Sequence, residues 1–220
     1  MDILNPREPV NTWSHGLWLM IALAGIIVLW QRGHGDRAKQ VSLLIYGLSL
    51  IFCSACSTLY HGVRLPDERI KAFALLDHVG IYILIAGTYT PIAWTFLRRH
   101  WRRGVLGLVW FWAALGITIR LKYETLPPWL YTGFYLGMGW GALFCYFEVA
   151  RRLARGALLP IPVGGLLYSL GAVFNLLGRP VLWPGIFQAH ELFHLFVLAG
   201  SLVHFHFMLT VVVPFAAVDG

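Results

Sequence analysis

Charge is what this chain has least of. Only 12% of its 220 residues are Asp, Glu, Lys or Arg, against about 25% in an ordinary soluble domain, while 58% are apolar. So few charges cannot cover a soluble fold of this size, and a soluble enzyme is excluded. Cysteine is scarce as well. Cys53, Cys56 and Cys145 all lie inside apolar runs, and an odd count in such positions excludes a disulfide framework. The Cys53-x-x-Cys56 spacing suits a metal or redox pair, but free cysteines in apolar runs also serve simply as small hydrophobes. Long polar stretches are missing, which excludes a disordered chain and leaves no room for a second domain. The N-terminal MDILNPREPVNTWSHG has no basic region leading into an apolar core, and no small-residue cleavage site follows. The first apolar stretch therefore reads as a retained helix.

What the chain does contain is seven long apolar runs. A helix needs about 20 residues to cross about 30 Å of hydrocarbon. Runs of this order cover His15–Gln31, Val41–Gly62, Lys71–Trp94, Gly104–Leu121, Pro128–Phe147, Ala157–Leu177 and His190–Val213. They are far too long for strands, and backbone in lipid must satisfy its own hydrogen bonds, so they are helices. The expectation is an all-α integral membrane protein. Residues 1–220 would form a single seven-transmembrane-helix domain, crossing the cell membrane many times. Connections such as QRGHGDRAKQ, LRRHWRR and KYETLPP are short and polar, basic or proline-bearing. The net charge of +7 would suggest nucleic acid in a soluble protein. Here the basic residues flank apolar runs, which points to anionic lipid headgroups and away from nucleic acid.

Short loops make consecutive helices antiparallel neighbours. The end of helix 2, both ends of the helix 2–3 and 6–7 connections, and the segment before helix 1 therefore share one membrane face. The costly ionisable groups gather there. Ser57 and His61 end helix 2, Asp77 and His78 open helix 3, and His190 and His194 open helix 7. Residues four apart share a helix face, so the Ser57/His61 and His190/His194 pairs can each point at a common centre. His190-x-x-x-His194 lets two imidazoles bind one ion, and His61 brings a third at the same depth. Three neutral imidazoles suit Zn²⁺ and leave a fourth position open. Asp77 is placed to accept a hydrogen bond there or to act as a base, and Ser57 to hold a water or substrate oxygen. Blander readings stand beside these. Interfacial histidines often bind no metal, a helix serine often bonds back to its own helix, and His78, about 100° round from Asp77, suits packing. Glu8, Asn11 and His15 either cap helix 1 or lean over the centre. His204 lies about 15 Å along the helix from His194 and cannot join the same ion.

Taken in order, Glu8-x-x-Asn11-x-x-Ser14-His15, Ser57-x-x-x-His61, Asp77-His78 and His190-x-x-x-His194 over seven spans resemble the haemolysin III family. That family belongs with the progestin and adipoQ receptors and is more distantly similar to the alkaline ceramidases. The resemblance implies a seven-helix bundle with Zn²⁺ held by His61, His190 and His194, Ser57 and Asp77 beside it, and His78, Glu8, Asn11 and His15 around it. It associates the chain with lipid amide hydrolysis, hormone-like sensing or membrane homeostasis, and by the family's name with pore formation. The expected function is a metal-dependent intramembrane hydrolase of a lipid amide or ester, with bilayer lipid or fatty acid as its partner. The alternatives are a lipid sensor with a structural zinc and a cytolysin. Glycines on helices 5 and 6, among them Gly137, Gly164, Gly165 and Gly171, allow either close packing or a lateral groove for an acyl chain. Ten of the Lys and Arg lie on the face opposite the histidines and seven on their side. The positive-inside rule puts the ten in the cytoplasm, while the receptor resemblance implies the reverse.

Overall fold

The computed structural model describes residues 5–123 and 125–217, which are helical almost throughout. The described helices are α1 Pro9–Arg32, α2 Arg37–Gly62, α3 Asp67–Phe96, α4 Arg99–Lys122, α5 Pro128–Trp140, α6 Leu143–Ala150, α7 Arg155–Leu158, α8 Pro160–Leu177 and α9 Ala189–Phe207. A π-helical turn, Met208–Val212, continues α9. Six segments are long and apolar enough to span a membrane, with α7 and α8 counting as one. Together α5 and α6 make the seventh crossing. The protein is an all-α, multi-pass membrane protein.

The helices start where their capping chemistry puts them. Pro9 stands at the first turn of α1, where its missing N–H is not needed. Asp36 caps α2 by accepting from the Lys39 N–H at 3.0 Å. Asp67 and Glu68 sit in the first turn of α3, favourable toward its dipole. As a result α1 and α3 begin before the apolar runs do, at Pro9 rather than His15 and at Asp67 rather than Lys71. Hydropathy marks the lipid, and polar helix ends project beyond it.

The stretch expected as one helix over 128–147 is divided. The break falls at Gly141–Ala142, in the sequence GMGWGA, where side-chain-free residues give the helix little support. The turns there tighten, Ala142 N–H bonding to the Gly139 carbonyl at 3.3 Å and Phe144 N–H to that of Gly141 at 3.1 Å. The Tyr89 hydroxyl of α3 shares its proton between the carbonyls of Met138 and Gly139, at 2.9 and 2.7 Å. A break at membrane depth requires such a donor.

Helices α1, α2 and α3 pack side by side, α8 packs on α9, and α9 returns to α1 to close the bundle. One contact sets the register of the site. A Cβ on Gly80 would lie 2.9 Å from Cys53 Cα, so α2 and α3 meet almost backbone to backbone, one turn from Asp77. Gly178 ends α8 in the left-handed conformation at φ 62°, which only glycine adopts freely. At the opposite face the buried Lys39 donates its ammonium to the carbonyls of Val213 and Phe215, tying α2 to the end of the chain's last helix. The three cysteines are buried and free.

Candidate metal centre

His61 arrives on the last turn of α2, and His190 and His194 on the first turns of α9. One nitrogen from each lies within 4.8 Å of the others, the arrangement of a group able to hold a metal ion. The Nε2 atoms of His190 and His194 are 3.1 Å apart. The His61 ring centroid is 5.2 Å from that of His190 and 4.6 Å from that of His194.

The other nitrogen of each ring is engaged. His61 Nδ1 lies 2.5 Å from Glu8 Oε2, His190 Nδ1 lies 3.1 Å from Asn175 Oδ1, and His194 Nδ1 lies 2.6 Å from His15 Nε2. A carboxylate can only accept, and the same role suits the Asn175 amide oxygen and His15 Nε2. This network assigns the proton of each ligand to Nδ1 and leaves three Nε2 lone pairs facing one another. His61 Nε2 is buried with no hydrogen bond among the described residues. Three converging lone pairs repel unless a cation lies between them, so the donor set fits a metal. Orienting each ligand through its far nitrogen is how metal-bound histidines are usually fixed.

The segment before α1 builds the frame. Glu8 N–H bonds to the His61 carbonyl at 3.0 Å. Its carboxylate leaves α1 uncapped and turns to His61, with Arg7 at 3.0 Å on its other oxygen. Burial works to raise the Glu8 pKa, but the hydrogen bond from His61, with Asn11 and Arg7, outweighs it and holds the carboxyl down at about 2. Asn11 is fully buried and donates to Glu8 at 3.0 Å and to Glu191 at 3.1 Å. Glu191 also closes the capping box of α9 by accepting from Gln188 N–H at 2.8 Å.

Asp77 stands 4.0 Å from His61 Nε2, outside the three-histidine group. Ser57 Oγ lies beside the Asp77 carboxylate without a close hydrogen bond to any described group. His78 turns away. Its Nδ1 donates to its own helix at the Ala74 carbonyl, 2.7 Å, and its ring meets Tyr131 edge-on at 5.0 Å. The structure therefore brings Glu8, Asn11, His15, Ser57, His61, Asp77, His190 and His194 together and leaves His78 in packing. Asn175 and Glu191 escape a reading of the sequence alone. The signals for them were a lone Asn in the last turn of an apolar helix and the Gln188-x-x-Glu191 capping pattern.

His194, His15, Ser57 and Asp77 line one end of a cavity of about 270 Å³. The cavity follows α3 from Asp77 through Ile81, Leu84, Ile85, Thr88 and Tyr89 to Ile92, about 22 Å at the helical rise. Gly165 lines it, whereas Gly137 faces a separate groove between α4 and α5. Gly171 is used in close packing, against Phe193 and Phe196.

Fold and site define a seven-helix membrane protein with a three-histidine, metal-competent centre near one membrane face. The model of the family described as Haemolysin-III related matches residues 4–205, and the chain belongs to that family. It is 32% identical over 213 residues to Hemolysin-3 of Bacillus cereus, covering 96% of this chain and 94% of that one. It is 30% identical over 213 residues to the Hemolysin-3 homolog of Bacillus subtilis (strain 168), covering 95% and 97%. To the Adiponectin receptor protein of Drosophila melanogaster it is 27% identical over 220 residues, covering 90% of this chain and 49% of the receptor.

Proposed function

We propose that the protein is a zinc-dependent hydrolase that cleaves an amide or ester of a lipid drawn from its own bilayer. The observation that carries this reading is that the three-histidine centre, through His194, meets one end of a long apolar cavity that Asp77 and Ser57 also line. Three imidazoles suit zinc, whereas magnesium and calcium prefer oxygen donors. Held there, zinc supplies Lewis acidity to a scissile carbonyl and lowers the pKa of water.

The chain's own residues do the rest. The cavity takes the acyl chain and presents its carbonyl to the histidines. Asp77 removes a proton from the attacking water, whose oxygen bonds to the carbonyl carbon. The Ser57 hydroxyl donates to the oxyanion that develops. Asp77 then gives its proton to the leaving nitrogen or oxygen as the acyl bond breaks, so the products are a fatty acid and an amine or alcohol. Glu8, Asn175 and His15 keep the three rings in place throughout. The basic loops at the opposite face hold anionic headgroups.

A lipid sensor would use the same residues to bind without turnover. A secreted cytolysin fits less well, since seven apolar spans do not suit a water-soluble state. The test is purified protein in liposomes with a fluorogenic acyl amide. Turnover that chelation abolishes and zinc restores supports the hydrolase. Stoichiometric fatty-acid binding without turnover supports the sensor. Gly165→Leu, which puts a side chain into the cavity, should reduce co-purified lipid while the metal stays bound.

A further inference from the structure

The cavity has a second polar end. His204 lies ten residues beyond His194 on α9, about 15 Å along the helix axis, and lines the same cavity. It takes no part in the three-histidine centre. Its Nε2 lies 3.2 Å from the carbonyl of Ile161 at the start of α8. A carbonyl only accepts, so Nε2 carries the proton, and the uncharged ring offers Nδ1 as a lone-pair acceptor. Nδ1 has no hydrogen-bond partner among the described residues, and it is not among their closed-off polar atoms.

The surroundings make room for this ring. A Cβ on Gly164 would lie 2.2 Å from His204 Nε2, so α8 leaves the imidazole its space. Tyr168 packs on the ring at 5.5 Å between centroids, and its hydroxyl is occupied by Ser201 Oγ at 2.9 Å. No hydrogen bond joins either hydroxyl to the imidazole. An imidazole in a membrane span is expensive, and an apolar side chain would fill the space without that cost. An open acceptor on a ring that lines an apolar cavity calls for a donor on whatever fills it.

We propose that His204 forms the far subsite of the cavity, where it accepts a hydrogen bond from a hydroxyl on the ligand's chain, so that the protein selects hydroxylated acyl chains over plain ones. This rests on the reading of the cavity as an acyl-chain site. It assigns to His204 a role in specificity, remote from the bond that is cleaved.

The test is displacement of a fluorescent fatty acid from the purified protein. The competitors are hexadecanoic acid and a series of hydroxyhexadecanoic acids with the hydroxyl at successive positions along the distal half. The wild type should prefer one distal isomer over the plain acid by about fivefold, the effect of one net hydrogen bond. In His204→Gln the side-chain amide can still reach the Ile161 carbonyl, but the acceptor at the Nδ1 position is gone, and the ratio should fall to about one. His204→Asn, whose Oδ1 stands near the place of Nδ1, should keep a preference. Retained metal in both variants reports that they fold. Equal displacement by every acid in the wild type, or a ratio unchanged in His204→Gln, overturns the proposal alone. If no acid displaces the probe, the acyl-chain reading falls and this proposal falls with it.

Discussion

The chemistry of each histidine in the centre is decided by what holds its Nδ1. Glu8 brings a charge to His61, Asn175 a neutral oxygen to His190, and His15 a second imidazole to His194. The wild type should bind one metal ion per chain by elemental analysis, and His190→Ala/His194→Ala should bind none. Full metal in that folded double variant would show that the ion lies elsewhere. Glu8→Gln keeps the shape but removes the charge behind His61, and metal affinity should weaken about 10- to 100-fold in a competition titration. Asp77 lies outside the three-histidine group, so Asp77→Asn should keep the metal and lose turnover about 100-fold or more, measured side by side. Loss of metal would instead make Asp77 a ligand. His61, Asp77, His190 and His194 could be picked out in the sequence because ionisable groups stand out in apolar runs. Asn175 could not be picked out as readily. A neutral amide is ordinary near a helix end, and only the packing of α8 on α9 shows that it faces His190.

At the scale of the helices, the break between α5 and α6 is the clearest case of tertiary control. A run of apolar residues with four glycines between 133 and 141 reads as one span. It becomes two helices because Tyr89, a bundle neighbour, supplies the donor that freed carbonyls need in lipid. Tyr89→Phe removes that donor, leaving the Met138 carbonyl unsatisfied and the Gly139 carbonyl with only the Ala142 N–H. The cost is about 1–3 kcal/mol, and it should appear as a lower midpoint of thermal unfolding in detergent. An unchanged midpoint would mean that the tightened turns alone satisfy the break. The glycines likewise sort only by neighbour. Gly164 and Gly171 would clash on gaining a Cβ, while Gly133 and Gly137 face open space. All four lie in apolar helical runs, and their environments are opposite.

For the molecule as a whole, seven crossings put the two ends of the chain on opposite sides of the membrane. Reporter fusions at the two ends should therefore give opposite signals, and matching signals would contradict the bundle. By the positive-inside rule the face bearing ten of the Lys and Arg, opposite the metal centre, would be cytoplasmic, whereas the receptor resemblance implies the reverse, and the same fusions decide between the two. The number of crossings and the gathering of His61, Asp77, His190 and His194 at one face followed from the sequence alone. Hydropathy reports transfer into lipid residue by residue, and short loops force neighbouring helices to alternate. Helix ends, the divided fifth span, the turning away of His78 and the cavity joining the histidines to His204 were decided only in three dimensions. Each depends on which side chain or backbone approaches from another helix. In lipid, that choice rests on close packing and hydrogen bonds rather than on hydrophobicity, which is nearly the same on every side of an apolar helix.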